Sequence, residues 1–285
     1  MTTLAERLGY PADAKLLIVH ADDLGFCHAA NVGTYESLRQ GIATSASLIV
    51  PAPWAREAAA RYRGEDVGVQ LTVNAEHELY RWGPITQAPS LLGGDGGFPR
   101  TMQDAWEHAD LDEVRRECRA QIERAILWGF DVSHLNTHMA TLQLRPEFFD
   151  ICLELAVEFA LPLRMLGSRD APHLGFPARE LAAESGVVFT DEVIPAQTGR
   201  GPTLAEVVAG LDPGVTEVQL RPAVDSGELR ALAADWELRV DDLRAARDDP
   251  SVRAAADAGG VALIGFRALR DLARAGASRA GGLRS

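Results

Sequence analysis

Residues 15–33 read KLLIVHADDLGFCHAANVG, and this stretch decides the fold. Lys15–Ala21 is an apolar run interrupted only by His20, the composition of a strand buried on both faces. Asp22-Asp23 and a glycine, Gly25, follow at once. An amphipathic helix then spans Ala29–Gln40 and stops at Gly41. Strand, tight turn and helix in that order open a βα unit, and such units lay their strands parallel.

The alternation continues outward from this first unit. Ser45–Val50, Asp66–Val73, Val132–Leu135, Pro162–Leu166, Val187–Phe189, Val215–Leu220 and Val261–Gly265 have strand character. Helical patterns occupy Pro53–Arg63, Leu111–Gly129 and Pro146–Phe159, and recur over residues 203–211, 227–248 and 266–276. Roughly eight βα steps suffice to close a barrel. The expected fold is therefore α/β, a deformed TIM-like (β/α) barrel of about 7–8 parallel strands. An open doubly wound sheet is the structural alternative. Residues 1–276 are expected to form one domain, with the Gly/Pro-rich connection 74–110 as a candidate lid and 277–285 as a flexible tail.

A formal net charge of −13 disfavours nucleic acid or an anionic membrane as partner. Lys15 is the only lysine, so arginine is the default cation here and a single Arg carries little information. Cys27, Cys118 and Cys152 are widely spaced and odd in number, as in a reducing cytoplasm. Residues 1–14 lack the apolar core of a signal peptide, and no apolar run approaches the roughly 20 residues of a membrane helix. A cytoplasmic protein acting on a small molecule, with homo-oligomers open, is the expectation.

In βα folds chemistry collects at the carboxyl ends of the strands. Those ends carry His20, Asp22 and Asp23; then Gln70 and Asn74; then His134, Asn136 and His138; then Arg164, Asp191, Arg221 and Arg267. Adjacent carboxylates after a buried strand repel one another and resist desolvation, so Asp22 and Asp23 require a compensating metal, cation or shared proton. Helix capping is the plainer role for either one alone. His134-x-Asn136-x-His138 puts three polar groups on one face of an extended segment, where two histidines can share a metal or one can simply be a satisfied core residue. Tyr80 and Trp82, beside Arg81 and His77 in the candidate lid, suit a sugar face or plain packing.

With these residues in place, the chain resembles the YdjC/ChbG (HpnK-type) carbohydrate deacetylases. The resemblance rests on HADDLGFCHAANVG (20–33), GIATSASLIVPAPW (41–54), GVQLTVNAEHELYRWGPI (68–85), HLNTHMATL (134–142), LPLR (161–164), GVTEVQLRPAVDSGEL (214–229) and LIGFRALRDL (263–272). It implies a metal-dependent enzyme that removes acetyl groups from N-acetylated sugars. Asp22 would be the base, and Asp23 and His138 would hold the divalent ion with a second histidine. The chain departs from that pattern at three positions. Gln70 stands where the second metal histidine is expected, Asn136 where an aspartate is expected, and Arg221-Pro222 where a His-Pro is expected. An amide oxygen is a poorer ligand than imidazole, and arginine cannot act as a general acid near neutral pH. The expected cofactor is therefore none, or a weakly bound divalent metal (Zn or Mg) on Asp23 and His138. Asp22, Asp23, His138 and Arg221 are the candidate catalytic set. Gln70, Asn74, Asn136, His134, Arg164, Tyr80 and Trp82 are candidates for substrate binding. Three readings follow: a repurposed enzyme with Arg221 in place of the metal, a working deacetylase with a weakened metal site, and a non-catalytic binding barrel.

Overall fold

The computed structural model describes residues 2–169, 171–195 and 201–281. Its centre is a curled parallel sheet of seven strands: β1 (Lys15–Leu24), β2 (Ser45–Leu48), β3 (Val67–Leu71), β4 (Leu135–Thr137), β5 (Glu192–Ile194), β6 (Gly214–Leu220) and β7 (Val261–Leu263). The order is β4-β3-β2-β1-β6-β5, and every pairing is parallel. Helices flank this sheet, as the βα alternation requires.

β1 is the longest strand, and two neighbours share one of its edges. β7 pairs along Lys15–Leu17, β2 pairs from His20 to Leu24, and β6 runs along the other edge from Lys15 to Ala21. β1 therefore runs three residues past its expected end and carries Asp22 and Asp23 within the ladder. Between β4 and β5 no regular strand intervenes. Leu163 forms a lone bridge with Leu135, and its amide donates to the Val188 carbonyl at 3.1 Å. Residues 163–168 thus make the seam of the curled sheet.

Three expectations are corrected. The fourth strand falls at Leu135–Thr137 rather than Val132–Leu135, which brings Asn136 into the ladder opposite Gln70. Val187 and Val188 are buried but carry no strand ladder, and the strand that pairs with β6 begins at Glu192. The helix expected over 227–248 is two, Gly227–Leu232 and Trp236–Arg247, with a further helix at Pro250–Ala258. The terminal helix Phe266–Gly281 continues through much of the stretch expected to be a tail, and residues 282–285 lie outside the described residues.

The 74–110 connection is fastened to the helix Leu111–Leu127, which Asp110 caps through the amides of Asp112 and Glu113. The buried Glu117 accepts from the amides of Ile85 and Thr86 at 3.1 and 2.9 Å, and Glu113 accepts from the Ser90 amide at 2.8 Å. All three cysteines are free and buried. Among the described residues no helix is long and apolar enough to cross a membrane.

Gly68 shows how tightly the barrel interior is filled. A Cβ there would lie 2.5 Å from both the His134 ring and its carbonyl oxygen, which belongs to backbone and cannot swing away. Gly68→Ala is expected to destabilise the protein by about 1–3 kcal/mol through overpacking. Urea unfolding of the variant beside the wild type measures this, and an unchanged midpoint would show that the interior yields.

Candidate active site

β1 places Asp22 and Asp23 at the carboxyl end of the sheet, both more than nine-tenths buried. The Arg164 Nη1 donates to both oxygens of Asp22 at 2.9 Å. Ser47 Oγ and Asn136 Nδ2 each donate to Asp22 Oδ1 at 3.0 Å. Burial alone would raise the Asp22 pKa, but the guanidinium outweighs it and holds the carboxyl far below its usual range. Arg164 also pairs with the fully buried Glu217 and donates through Nη2 to His20 Nδ1 at 2.6 Å. His20 Nδ1 also lies 3.1 Å from Asp22 Oδ1, and its Nε2 lies 2.9 Å from His134 Nε2. Burial keeps His134 neutral, its pKa well below the usual value.

Asp23 is held separately. Arg239 Nη1 donates to its Oδ2 at 2.9 Å, and Gln70 Nε2 donates to its Oδ1 at 3.0 Å. Arg239 is 4% exposed, and its Nε donates to Asp235 Oδ1 at 2.9 Å. Arg221 pairs with the other oxygen of Asp235, also at 2.9 Å. Its backbone amide donates to Asp242 Oδ2 at 2.7 Å, and burial pushes the Asp242 carboxyl up to about 6.

Gln70 sits at the junction. Its Oε1 accepts from the Asp23 amide at 3.3 Å and lies 3.1 Å from Ser47 Oγ, whose single proton goes to Asp22. The Asp23 amide proton on one side and the Asp23 carboxylate oxygen on the other fix the orientation of the side chain, since a flip would set donor against donor and acceptor against acceptor. The NH2 group must then face Asp23 Oδ1 and His138 Nδ1, each at 3.0 Å. His138 Nε2 in turn donates to Glu76 Oε2 at 2.8 Å. Burial alone would lower the His138 pKa, but the Glu76 carboxylate raises it above its ordinary value. Glu76 is correspondingly held far below the carboxylate range by His138, against the opposing effect of its own burial.

Asp22, Asp23, Gln70, His138, Arg164 and Arg221 all line one cavity of about 330 Å³, with Glu76 and Arg239 beside them. His134, Asn136 and Asn74 are fully buried outside the lining. His134 stacks on Phe266, with ring centroids 3.8 Å apart. Asn74 accepts from Thr141 Oγ1 at 2.8 Å and contacts Met139, so it braces the turn after His138. Tyr80 and Trp82 also lie outside the lining. The Tyr80 hydroxyl donates to the Phe26 carbonyl, and both rings pack on Phe26. Backbone strain concentrates here. Among the described residues, Asp23, Met139 and Ala140 are three of the four non-glycine residues at positive φ (66°, 51° and 57°), and all three line the cavity. Such conformations cost of order 1–3 kcal/mol each and persist where surrounding structure enforces them.

Three partners were missed by sequence reasoning: Glu76, Arg239 and Ser47. Arg239 follows Asp235 by four residues on a helix, the pattern of an ordinary surface pair. Ser47 occupies an inward position of β2, and Glu76 opens the connection taken for a lid.

The chain belongs to the YdjC-like family. The profile described as YdjC-like protein matches residues 16–257. A carbohydrate deacetylase of Geobacillus stearothermophilus is 30% identical over 257 residues, covering 89% of this chain and 97% of that protein. A carbohydrate deacetylase of Thermus thermophilus is 39% identical over 158 residues, 55% of this chain and 56% of its own. A crystal structure from Enterococcus faecalis, of a protein proposed to cleave cellobiose-phosphate, superposes with a TM-score of 0.79 at 23% identity. That match covers 90% of this chain and 99% of the other, and it bears on the fold alone.

The divalent ion that the family implies would sit between Asp23 and His138, and the donor set there does not fit it. The point facing both residues is filled by amide hydrogens of Gln70, and the second oxygen of Asp23 is taken by Arg239. No cluster of three or more His, Cys, Asp or Glu side chains arranged for a metal exists among the described residues.

The His138–Glu76 pair gives a pH-dependent test. Because the folded pKa of His138 is raised, its pairing stabilises fully below the unfolded value near 6.5 and is lost as pH rises through the folded value. Glu76→Gln is expected to cost about 1–2 kcal/mol at pH 6 and progressively less as His138 deprotonates. Denaturant unfolding across pH 5.5–9 reads this; a gap that stays constant with pH would contradict the pairing.

Proposed function

We propose that this YdjC-like chain is a hydrolase-type enzyme that acts on a small polar N-acylated substrate without a resident divalent metal. The observation that carries this reading is the orientation of Gln70. Seating a dication between Asp23 and His138 would require its amide to turn and abandon its bonds to the Asp23 amide and carboxylate. The incoming ion would also meet the Arg164, Arg221 and Arg239 guanidiniums that line the same cavity. Two of these guanidiniums already occupy the Asp22 and Asp23 oxygens that a dication would need.

The chain's own groups supply acid–base chemistry. Asp22 stays ionised at any working pH and acts as the proton acceptor for an attacking water. In the neutral ring His138 Nδ1 accepts from Gln70 and Nε2–H is held by Glu76. The proton for the leaving nitrogen is therefore carried on Nδ1 of the imidazolium that Glu76 favours, a state in which the Gln70 contact to His138 is given up. Environments that drive two groups' pKa values apart in this way assign one as base and the other as acid. Arg239 is the better placed electrophile. Its Nη1 and Nε are occupied, and among the described residues Nη2 has no hydrogen-bond partner and is not one of the fully buried unsatisfied atoms, so it can meet an oxyanion in the cavity. Arg221 lines the same cavity through its pairing with Asp235, where it serves to anchor substrate.

A second reading has one observation in its favour: Asp23 and His138, the two family ligands that remain, still face a common point. The same assay separates the two readings. Protein purified without added ions and assayed against N-acyl amino sugars in excess chelator is expected to keep its turnover with well under one equivalent of metal bound. Asp22→Asn is expected to lower kcat by about 10²–10⁴-fold under the same conditions. Activity abolished by chelator and restored by stoichiometric zinc would select the metal-dependent deacetylase.

A further inference from the structure

The cavity has two chemically different walls. One is the charged floor at the ends of β1, β3 and β4. The other is the seam, where Met165, Leu166 and Val193 line the space, with Met139 beside them at the mouth. Met139 is 44% exposed, Leu166 and Val193 are partly exposed, and Met165 is buried at the cavity wall. The seam is held close by Gly167, where a Cβ would lie 2.6 Å from Glu192 Oε2 and 3.0 Å from the Val193 backbone nitrogen. Among the described residues no Phe, Tyr or Trp lines the cavity, so the broad stacking surface that a bare sugar ring uses is missing. A polyhydroxyl ring filling the whole space would press hydroxyls against side chains that cannot bond them, which is costly. Methionines flank this wall, and they adapt to flexible hydrocarbon.

We infer that the substrate of this site is bipartite, a polar ring of about monosaccharide size bearing a short hydrocarbon chain, longer than acetyl, that lies along the Met139–Met165–Leu166–Val193 wall. The inference rests on the proposed function and adds the substrate class. A cavity of about 330 Å³ is small for a ligand site, so the chain is short. The hydrocarbon has two possible points of attachment, the acyl group itself or the sugar's anomeric oxygen.

Equilibrium binding of three probes to the Asp22→Asn protein tests the inference: N-acetylglucosamine, N-hexanoylglucosamine and the hexyl glycoside of N-acetylglucosamine. Wild-type kcat/KM on the same compounds is the second readout. Burial of a methylene tightens binding up to about 4-fold, so a chain of four extra methylenes, partly buried, is expected to gain at least about 10-fold. A gain in the N-hexanoyl arm places the chain on the acyl group, and a gain in the glycoside arm places it on the anomeric oxygen. Binding of both within twofold of N-acetylglucosamine overturns the inference. Val193→Thr, nearly isosteric and checked for unchanged thermal unfolding, is expected to reduce the gain severalfold, and an undiminished gain also overturns it. Each titration is run in chelator and again in zinc. A metal requirement for turnover defeats the metal-free reading alone, whereas a flat chain-length ratio in both media defeats only this inference.

Discussion

Two carboxylates on consecutive residues are accommodated inside a barrel because each has its own guanidinium, Arg164 on Asp22 and Arg239 on Asp23. Left uncompensated, either charge would incur a desolvation penalty of several kcal/mol. The rest of the site is arranged around that requirement. Arg164 comes from the seam beside β4 and Arg239 from the helix Trp236–Arg247, so the two clamps tie distant parts of the chain to the end of β1. Asp23 takes a left-handed backbone conformation, φ 66°, which turns its side chain away from Asp22 and toward Arg239 and Gln70.

The second tier consists of neutral amides and hydroxyls that connect the two clamps. Ser47 and Asn136 donate to Asp22, and Gln70 links Ser47, Asp23 and His138 into a single network. In this network the Gln70 NH2 group lies between the two groups that the family would use as ligands. The same three positions that depart from the family pattern, Gln70, Asn136 and Arg221, all find specific partners here. Asn136 Oδ1 is the exception, a buried acceptor without a partner among the described residues.

Much of this was legible in the sequence because strand ends concentrate chemistry. The run KLLIVHADD located β1 and both carboxylates, and Gln70, His138, Arg164 and Arg221 were read from other strand termini and share the cavity. Glu76 and Arg239 were not legible. They act through residues up to 216 positions away in sequence, and an Asp–Arg pair on a helix in an arginine-rich chain gives no local signal. The strand errors have a related cause. Apolar runs report burial rather than ladder hydrogen bonds, so buried Val187 and Val188 read as a strand, whereas Glu192–Ile194, only partly buried, forms the ladder with β6. Tyr80 and Trp82 had the composition of a sugar platform, but Phe26 gives them an apolar surface to pack on, and Trp82 reaches the cavity only through its edge contact with His138.

The central claim concerns which atoms face Asp23 and His138, and crystallography with anomalous scattering tests it most directly. Crystals equilibrated in millimolar zinc should show no anomalous peak between the two residues. The Gln70 amide nitrogen should stay about 3.0 Å from Asp23 Oδ1 and His138 Nδ1, with its oxygen on the Asp23 amide. A full-occupancy zinc peak bound by Asp23 and His138, with Gln70 turned to present its oxygen or displaced, would contradict the account.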